Sequence, residues 1–200
     1  MHIIGIVGGV ASGKSRATEF LRQLGAAVLD GDRAGHEVLR EPAVVAASSD
    51  RWGAQILDAD GQIDRSKLAE IVFAPTDEAA EELGFLEDLT HPRIRARLTD
   101  EVASLEAEGN SPVAVLDAPV LLKAGWNDFC NTILFIDTPA KLRLQRAAAR
   151  GWSEQDVLRR EAAQVPIQQK RALADVILDN SGPPDKLYQQ IHDFWDSHFV

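Results

Sequence analysis

Gly8-Gly9-Val10-Ala11-Ser12-Gly13-Lys14-Ser15 carries, without a gap, the spacing G-x-x-x-x-G-K-S. Each residue type in it has a task in holding phosphate. Glycines let the backbone curl until successive N–H groups converge on one anion, and the unsatisfied amides of a following helix add positive potential there. Lys14 suits a bridge between β- and γ-phosphates. The Ser15 hydroxyl suits Mg²⁺, which spreads the negative charge that must be stabilised while a phosphoryl group moves. The bland reading is a glycine-rich structural turn; a buried strand before the segment and a helix after it argue against that.

Carboxylates stand where such a loop needs them. Asp117 closes the run Val113-Ala114-Val115-Leu116 and suits a Mg²⁺ ligand, direct or through water, with a helix or turn cap as the alternative. Asp30 and Asp32 close the run that begins at Ala26, where an acceptor hydroxyl could approach the γ-phosphate. Asp32 is the candidate to orient that hydroxyl and accept its proton. An N-cap and turn before the helix containing His36 and Leu39 is the alternative. Arg143, Arg146, Arg150, Arg159 and Arg160 crowd one segment of an otherwise acidic chain. Guanidinium forks fit phosphate oxygens, and a mobile helical lid carrying them would exclude water. Otherwise they form a solvated face paired with glutamates such as Glu154 and Glu161.

These groups need a scaffold, and the hydrophobic pattern describes one. His2 to Val7 reads as a buried strand, and Ala17, Phe20, Leu21 and Leu24 recur at helical spacing from about Lys14 until Gly25 stops them. Ala26–Asp30, Val113–Asp117, Thr132–Asp137 and Val176–Asp179 read as four further strands. Strands alternating with helices predict a mostly parallel five-stranded sheet covered on both faces, a three-layer α/β fold. From Ala34 to Asn110 the pattern is helical, with a turn at Asp58 to Gly61 and no core strand. Residues 140–172 are again helical, Ser153 and Asp156 forming a helix cap. The last helix starts near Asp185 and sets Leu187, Tyr188, Ile191, Phe194 and Trp195 on one core-facing stripe.

Composition narrows the function. The chain has 200 residues, enough for a self-supporting core, with 21 Lys plus Arg against 31 Asp plus Glu and a net charge of −10. That charge argues against a nucleic-acid partner, and an anionic ligand needs a local site. A single cysteine, Cys130, excludes an internal disulfide framework and fits a reducing compartment. No apolar stretch approaches a membrane span and the opening residues lack the pattern of a signal peptide, so the expected setting is cytoplasmic, with no membrane and no obligate protein partner.

The ordered set of motifs resembles the dephospho-CoA kinase family along nearly the whole chain. The family's T-G-G-I-G-S-G-K-S is similar to Val7 to Ser15, its D-A-D to Asp30-Gly31-Asp32 with His36 shortly after, and its H-P-x-I to His91-Pro92-Arg93-Ile94. Its D-x-P-L-L-F-E is similar to Asp117 to Lys123, its R-x-x-x-R lid to Arg146 and Arg150 with Arg160 and Gln164 beyond, and its A-D-x-V-I-x-N-x-G to Ala174 to Gly182. The resemblance implies a P-loop kinase that uses ATP and Mg²⁺ to phosphorylate the ribose 3′-hydroxyl of 3′-dephospho-coenzyme A. It implies a nucleotide-binding core of residues 1–34, 110–140 and 173–200, a substrate-binding helical insertion at 35–109 and an arginine-rich lid at 141–172.

In that scheme Lys14, Asp32 and Arg146 are catalytic. ATP is held by Gly8, Gly9, Val10, Ala11, Ser12, Gly13, Lys14, Ser15, Arg16, Arg150 and Asn180. The acceptor is held by Asp30, Asp32, His36, His91 and Asp117, and Mg²⁺ by Ser15 and Asp117. His91 has a second reading, as the residue that ends a helix before Pro92. Three positions depart from the family pattern: Arg16 replaces a threonine, Ala11 a loop glycine, and Lys123 a glutamate. A nucleoside or nucleotide kinase, and a regulatory P-loop NTPase, are the other functional readings.

Overall fold

The computed structural model of the chain describes residues 1–200. The five apolar runs form β1 (His2–Gly8), β2 (Ala27–Asp30), β3 (Val113–Asp117), β4 (Thr132–Asp137) and β5 (Val176–Asp179). They lie in the order β2-β3-β1-β4-β5, every neighbouring pair parallel. Parallel neighbours require long crossovers. These are α1 (Lys14–Gln23) after β1, then α2 (Gly31–Val38), α3 (Pro42–Trp52), α4 (Arg65–Val72) and α5 (Ala79–Glu108) between β2 and β3. Between β4 and β5 run α6 (Ala140–Ala148), α7 (Glu154–Ala162) and α8 (Ile167–Ala172), and α9 (Pro184–Phe199) ends the chain.

The chain divides into two compact units, residues 1–30 with 101–200 and residues 31–100. In the first, side chains alternate across the sheet with the period of a pleated strand. Ile4, Ile6, Val113, Val115, Leu134 and Ile136 face one way and are packed under Ala17 and Leu21 of α1 and Leu187, Ile191, Phe194 and Trp195 of α9. Tyr188 departs from the expected stripe: it is half-buried at the margin, edge-on to Phe20. Gly5 faces the opposite side, where a methyl group would lie no more than 3.0 Å from Leu121, Cys130 and Ile133. The centre of the sheet is therefore closely packed on both faces. β1 is central, with β3 on one side and β4 on the other, so the loop after β1 emerges at the carboxyl edge where connections diverge.

Helix α1 ends as the glycine stop predicts. Gly25 takes φ 108°, the Gly25 amide donates to the Arg22 carbonyl and the Ala26 amide to the Leu21 carbonyl, the paired bonds of a left-handed helix terminus. At the other edge of the sheet, Gln190 of α9 accepts from the Asp179 amide at 2.9 Å and donates to its carbonyl at 2.8 Å. One side chain thus replaces a strand partner for the end of β5.

The second unit is helical, with one isolated antiparallel bridge, Leu57 to Ile63, closing the turn predicted at Asp58 to Gly61. Asp58 accepts from the amides of Asp60 and Gln62, and Asp64 caps α4 through the amides of Ser66 and Lys67. Arg97 of α5 joins Glu37 and Glu41, tying α5 to α2 and to the residue before α3. The reading in which a helix ends before Pro92 is corrected: α5 runs through that proline. A proline removes one amide and crowds the preceding turn. On either side of Asp88, whose carbonyl loses that amide, two carbonyls gain side-chain donors, Thr90 Oγ1 to Leu86 O at 2.7 Å and Arg93 Nη1 to Leu89 O at 2.6 Å. No helix of the chain is long and apolar enough to cross a membrane.

Because Ile191 is fully buried between α9 and the sheet, Ile191→Ala is expected to lower the unfolding free energy by about 3 kcal/mol in urea titration. A loss under about 1 kcal/mol would show that α9 is not part of the cooperative core.

Candidate active site

The loop from Gly8 to Ser15 links β1 to α1, as the motif requires. Its shape is set by what its carbonyls bond to. The Ser12 carbonyl accepts from Thr138 Oγ1 at 2.8 Å, Arg146 Nη1 at 3.1 Å and Asn180 Nδ2 at 2.7 Å. The Val10 carbonyl accepts from Arg143 Nη1 at 3.4 Å, and the Gly8 carbonyl from Lys170 Nζ at 3.1 Å. In a planar trans peptide the carbonyl and the following N–H point in opposite directions. Fixing the Val10 and Ser12 carbonyls therefore turns the N–H groups of Ala11 and Gly13 away from those donors, in the manner of an anion cradle. Ala11 at φ 58° and Gly13 at φ 101° supply the reversed curvature.

Side chains are excluded from the loop where it passes its supports. A methyl group on Gly13 would lie 2.4 Å from Asn180 Nδ2, and one on Gly8 would lie 2.5 Å from Ser12 Oγ. Two buried polar atoms beside the loop, Ser12 Oγ and Asn180 Oδ1, have no hydrogen-bond partner within the protein. A buried acceptor left without a donor costs about 1–3 kcal/mol. The amino and hydroxyl groups of a nucleotide are donors of the kind Asn180 Oδ1 lacks, so this corner fits one.

The arginines, grouped by the sequence, do different things. Arg143 is only 7% exposed and donates to the Thr138 and Val10 carbonyls while paired with Glu161, whose carboxylate also accepts from the Val10 amide at 3.2 Å. The expectation of a solvated pair with Glu161 is thus corrected to an internal clamp on the loop. Arg146 bridges the carbonyls of Ser12 and Asn180 at 3.1 and 3.0 Å, and burial together with the neighbouring charges of Arg16 and Arg150 makes its proton easier to lose than usual. Arg150 and Arg160 lie over the Trp152 ring, and Arg159 pairs with Asp156 at the surface. Ser153 and Asp156 form the expected capping box of α7.

Asp30 and Asp117 are opposite each other across β2 and β3, and Asp117 also faces Ile6 in β1. Rather than capping a helix, Asp117 accepts from Thr18 Oγ1 at 3.1 Å. Burial pushes its pKa up and the Asp30 charge adds to this, against the opposing pull of Lys14 and the Thr18 hydrogen bond. A cation would remove that penalty. No group of three or more His, Cys, Asp or Glu is gathered for a metal, and Mg²⁺ does not need one, since it takes one or two carboxylates plus phosphate oxygens. Asp117 and the exposed Ser15 at the start of α1 fit that pattern. Cys130 donates to the Trp126 carbonyl, and burial pushes its thiol up to about 12, which rules out a nucleophilic thiolate near neutral pH.

The first unit therefore brings together the loop, Arg16, Asp30, Asp117, Arg146 and Asn180. Asp32 and His36 lie on α2, both exposed, and His91 lies half-buried on α5, all in the second unit. No turn separates β2 from α2, so Asp32 sits in the first helical turn rather than ahead of it. Sequence reasoning missed Thr18, Thr138 and Lys170. Thr18 follows Lys14 by one helical turn, a legible signal; Thr138 and Lys170 meet the loop only through folding.

The family model for dephospho-CoA kinase matches residues 2–185. The dephospho-CoA kinase of Corynebacterium jeikeium is 39% identical over 198 residues, covering 98% of each chain. This chain belongs to the dephospho-CoA kinase family. A solved structure from Thermus thermophilus is 32% identical, with a TM-score of 0.81 over 100% of this chain and 98% of that one. The dephospho-CoA kinase structure from Campylobacter jejuni, 24% identical, shares the fold at a TM-score of 0.64 over 98% of this chain and 96% of its own. The chain is thus a member of a kinase family, which implies use of ATP.

Two stability measurements test the geometry. Arg143→Ala removes two carbonyl donors and leaves Glu161 without its buried cation, and should cost about 3 kcal/mol in urea titration; a neutral result would contradict the clamp. Asp117 has a raised pKa, so its ionised form is disfavoured by folding, and the penalty is present above the folded pKa and fades as pH falls through it. Asp117→Asn should therefore raise the melting temperature of the nucleotide-free protein at pH 7, with a smaller gain near pH 4. A drop at pH 7 would contradict the assignment of burial as the main cause.

Proposed function

We propose that the chain transfers the γ-phosphoryl group of ATP directly to the ribose 3′-hydroxyl of 3′-dephospho-coenzyme A, giving coenzyme A and ADP. What carries the reading is the loop, with its carbonyls at positions 8, 10 and 12 held by donors from α6, α8, Thr138 and Asn180. A phosphate cradle fixed before the ligand arrives needs little reorganisation during transfer. The amides of Ala11 and Gly13, with those of Lys14 and Ser15 at the start of α1, hold the β-phosphate side, and Lys14 holds the γ-phosphoryl oxygens. Arg146 keeps the Ser12 and Asn180 carbonyls in place with part of its fork, and its remaining N–H groups face developing charge. Asn180 takes the base side of the nucleotide through its unmatched Oδ1, with Arg150 nearby on the Trp152 ring.

Ser15 and Asp117 would hold Mg²⁺, which when bound neutralises charge on the β- and γ-oxygens. Asp117 is kept in position by Thr18. Asp32 orients the 3′-hydroxyl and accepts its proton, and Asp30, His36 and His91 hold the acceptor. The helical residues 35–109 receive the coenzyme A portion, and residues 141–172 act as the lid. The single, half-buried Cys130, which leaves no internal disulfide, supports a reducing, cytoplasmic setting.

Steady-state kinetics with 3′-dephospho-coenzyme A, adenosine and AMP as competing acceptors test this. Turnover should require 3′-dephospho-coenzyme A; acceptor-independent hydrolysis would overturn the kinase assignment. Lys14→Ala should lower kcat/KM by about 10³-fold or more. Asp32→Asn should lower kcat by about 10²–10⁴-fold with nucleotide affinity nearly unchanged. An equal loss of ATP binding would make Asp32 a nucleotide-holding residue instead.

A further inference from the structure

Lys170 has no part in the motif that holds phosphate, yet it belongs to the same pocket. It lies on α8, 156 positions beyond Lys14, and is only 6% exposed. Its ammonium donates to the Gly8 carbonyl at 3.1 Å and to Gln164 Oε1 at 2.6 Å. A lysine ammonium has three N–H donors, so one is left over. The pocket that this side chain lines, at the carboxyl end of β1, is also lined by Gly8, Lys14, Lys123 and Gln164, and by no aspartate or glutamate. In a chain with a net charge of −10, three lysines on one pocket with no carboxylate in its lining favour an anion there, although Asp117 acts on Lys14 and Glu161 on Lys170 from outside it.

The buried ammonium is also an electrostatic liability without a ligand. Burial holds its pKa down to about 8, the Lys14 charge and that of Arg143 on α6 push the same way, and Glu161 on α7 opposes them. A purely structural prop for the Gly8 carbonyl would not need a charge so close to Lys14; a neutral amide would serve. An anion held between the two lysines removes the repulsion and restores the proton.

We propose that Lys170 is a second phosphate-contacting lysine, placed with Lys14 to hold the terminal phosphate of the nucleoside triphosphate. The inference rests on the ATP reading given above. With its other donors fixed on Gly8 and Gln164, Lys170 reports whether a γ-phosphate is present and links lid helix α8 to the loop.

The test is calorimetric titration at pH 8.5, with Mg²⁺, in two buffers of different ionisation enthalpy. The ligands are adenosine 5′-(β,γ-imido)triphosphate and ADP, and the proteins are wild type, Lys170→Gln and Lys170→Arg. Wild type should take up roughly three-quarters of a proton more than Lys170→Gln on binding the triphosphate, as a group of pKa about 8 becomes fully protonated. Lys170→Gln should weaken the triphosphate by about tenfold or more and ADP by less than about threefold. Lys170→Arg, always charged, should keep the preference for triphosphate and lose the proton uptake. Equal loss for both nucleotides, or the same proton uptake in wild type and Lys170→Gln, would overturn the proposal. If Lys170→Gln does not fold, the uptake by wild type against Lys170→Arg decides the same point. These titrations need no acceptor, so failure of the kinase reading would appear separately, as wild-type protein that binds the triphosphate but does not phosphorylate 3′-dephospho-coenzyme A.

Discussion

A backbone loop that offers its amides to a ligand must find other partners for its carbonyls, and in this fold those partners come from the far half of the chain. The Ser12 carbonyl alone draws Thr138, Arg146 and Asn180 onto one oxygen. Those three residues come from the end of β4, from α6 and from the end of β5, so the sheet must place the three segments side by side before the loop can take its shape. The central position of β1, the closely packed Gly5 and the apolar faces under α1 and α9 serve that requirement. Binding geometry and the fold of residues 132–180 are thus one problem, which explains why buried polar side chains such as Arg143 and Lys170 are tolerated there.

The scaffold was largely legible in the amino-acid pattern because strand and helix periods differ and glycine marks the ends of elements. All five strands and the loop-helix junction lie where the apolar runs and the G-K-S spacing place them. The capping box at Ser153 and the turn at Asp58 were also readable, since each is built from residues close in sequence. Pro92 was harder. A proline stops most helices, but α5 continues through it with Thr90 and Arg93 bonding the preceding turn.

The charged groups show where sequence reasoning loses resolution. Five arginines in one segment look alike as a patch, yet Arg143 is buried on the loop, Arg146 bridges two carbonyls, Arg150 and Arg160 rest on Trp152, and Arg159 is at the surface. The direction of each depends on how α6, α7 and α8 turn back on one another, which local spacing does not encode. Lys170 is the extreme case: a lysine in a short helix is ordinarily solvated, and nothing adjacent to it in sequence marks it as a neighbour of Lys14. Ala11 is explained only by the structure as well. Its φ of 58° lies in the left-handed region that favours glycine, and its side chain packs with Val10, Ala147 of α6 and Val157 of α7 in a small cluster.

The proposed chemistry reduces to one claim, that the γ-phosphoryl group of ATP passes directly to a single hydroxyl of the acceptor without release to water. Phosphorus-31 magnetic resonance on a reaction with ATP, Mg²⁺ and 3′-dephospho-coenzyme A observes this most directly. The account predicts that loss of the γ-phosphate signal is matched by one new phosphomonoester signal, that of a ribose 3′-phosphate. Matching growth of inorganic phosphate instead, or a phosphate on another hydroxyl, would contradict it.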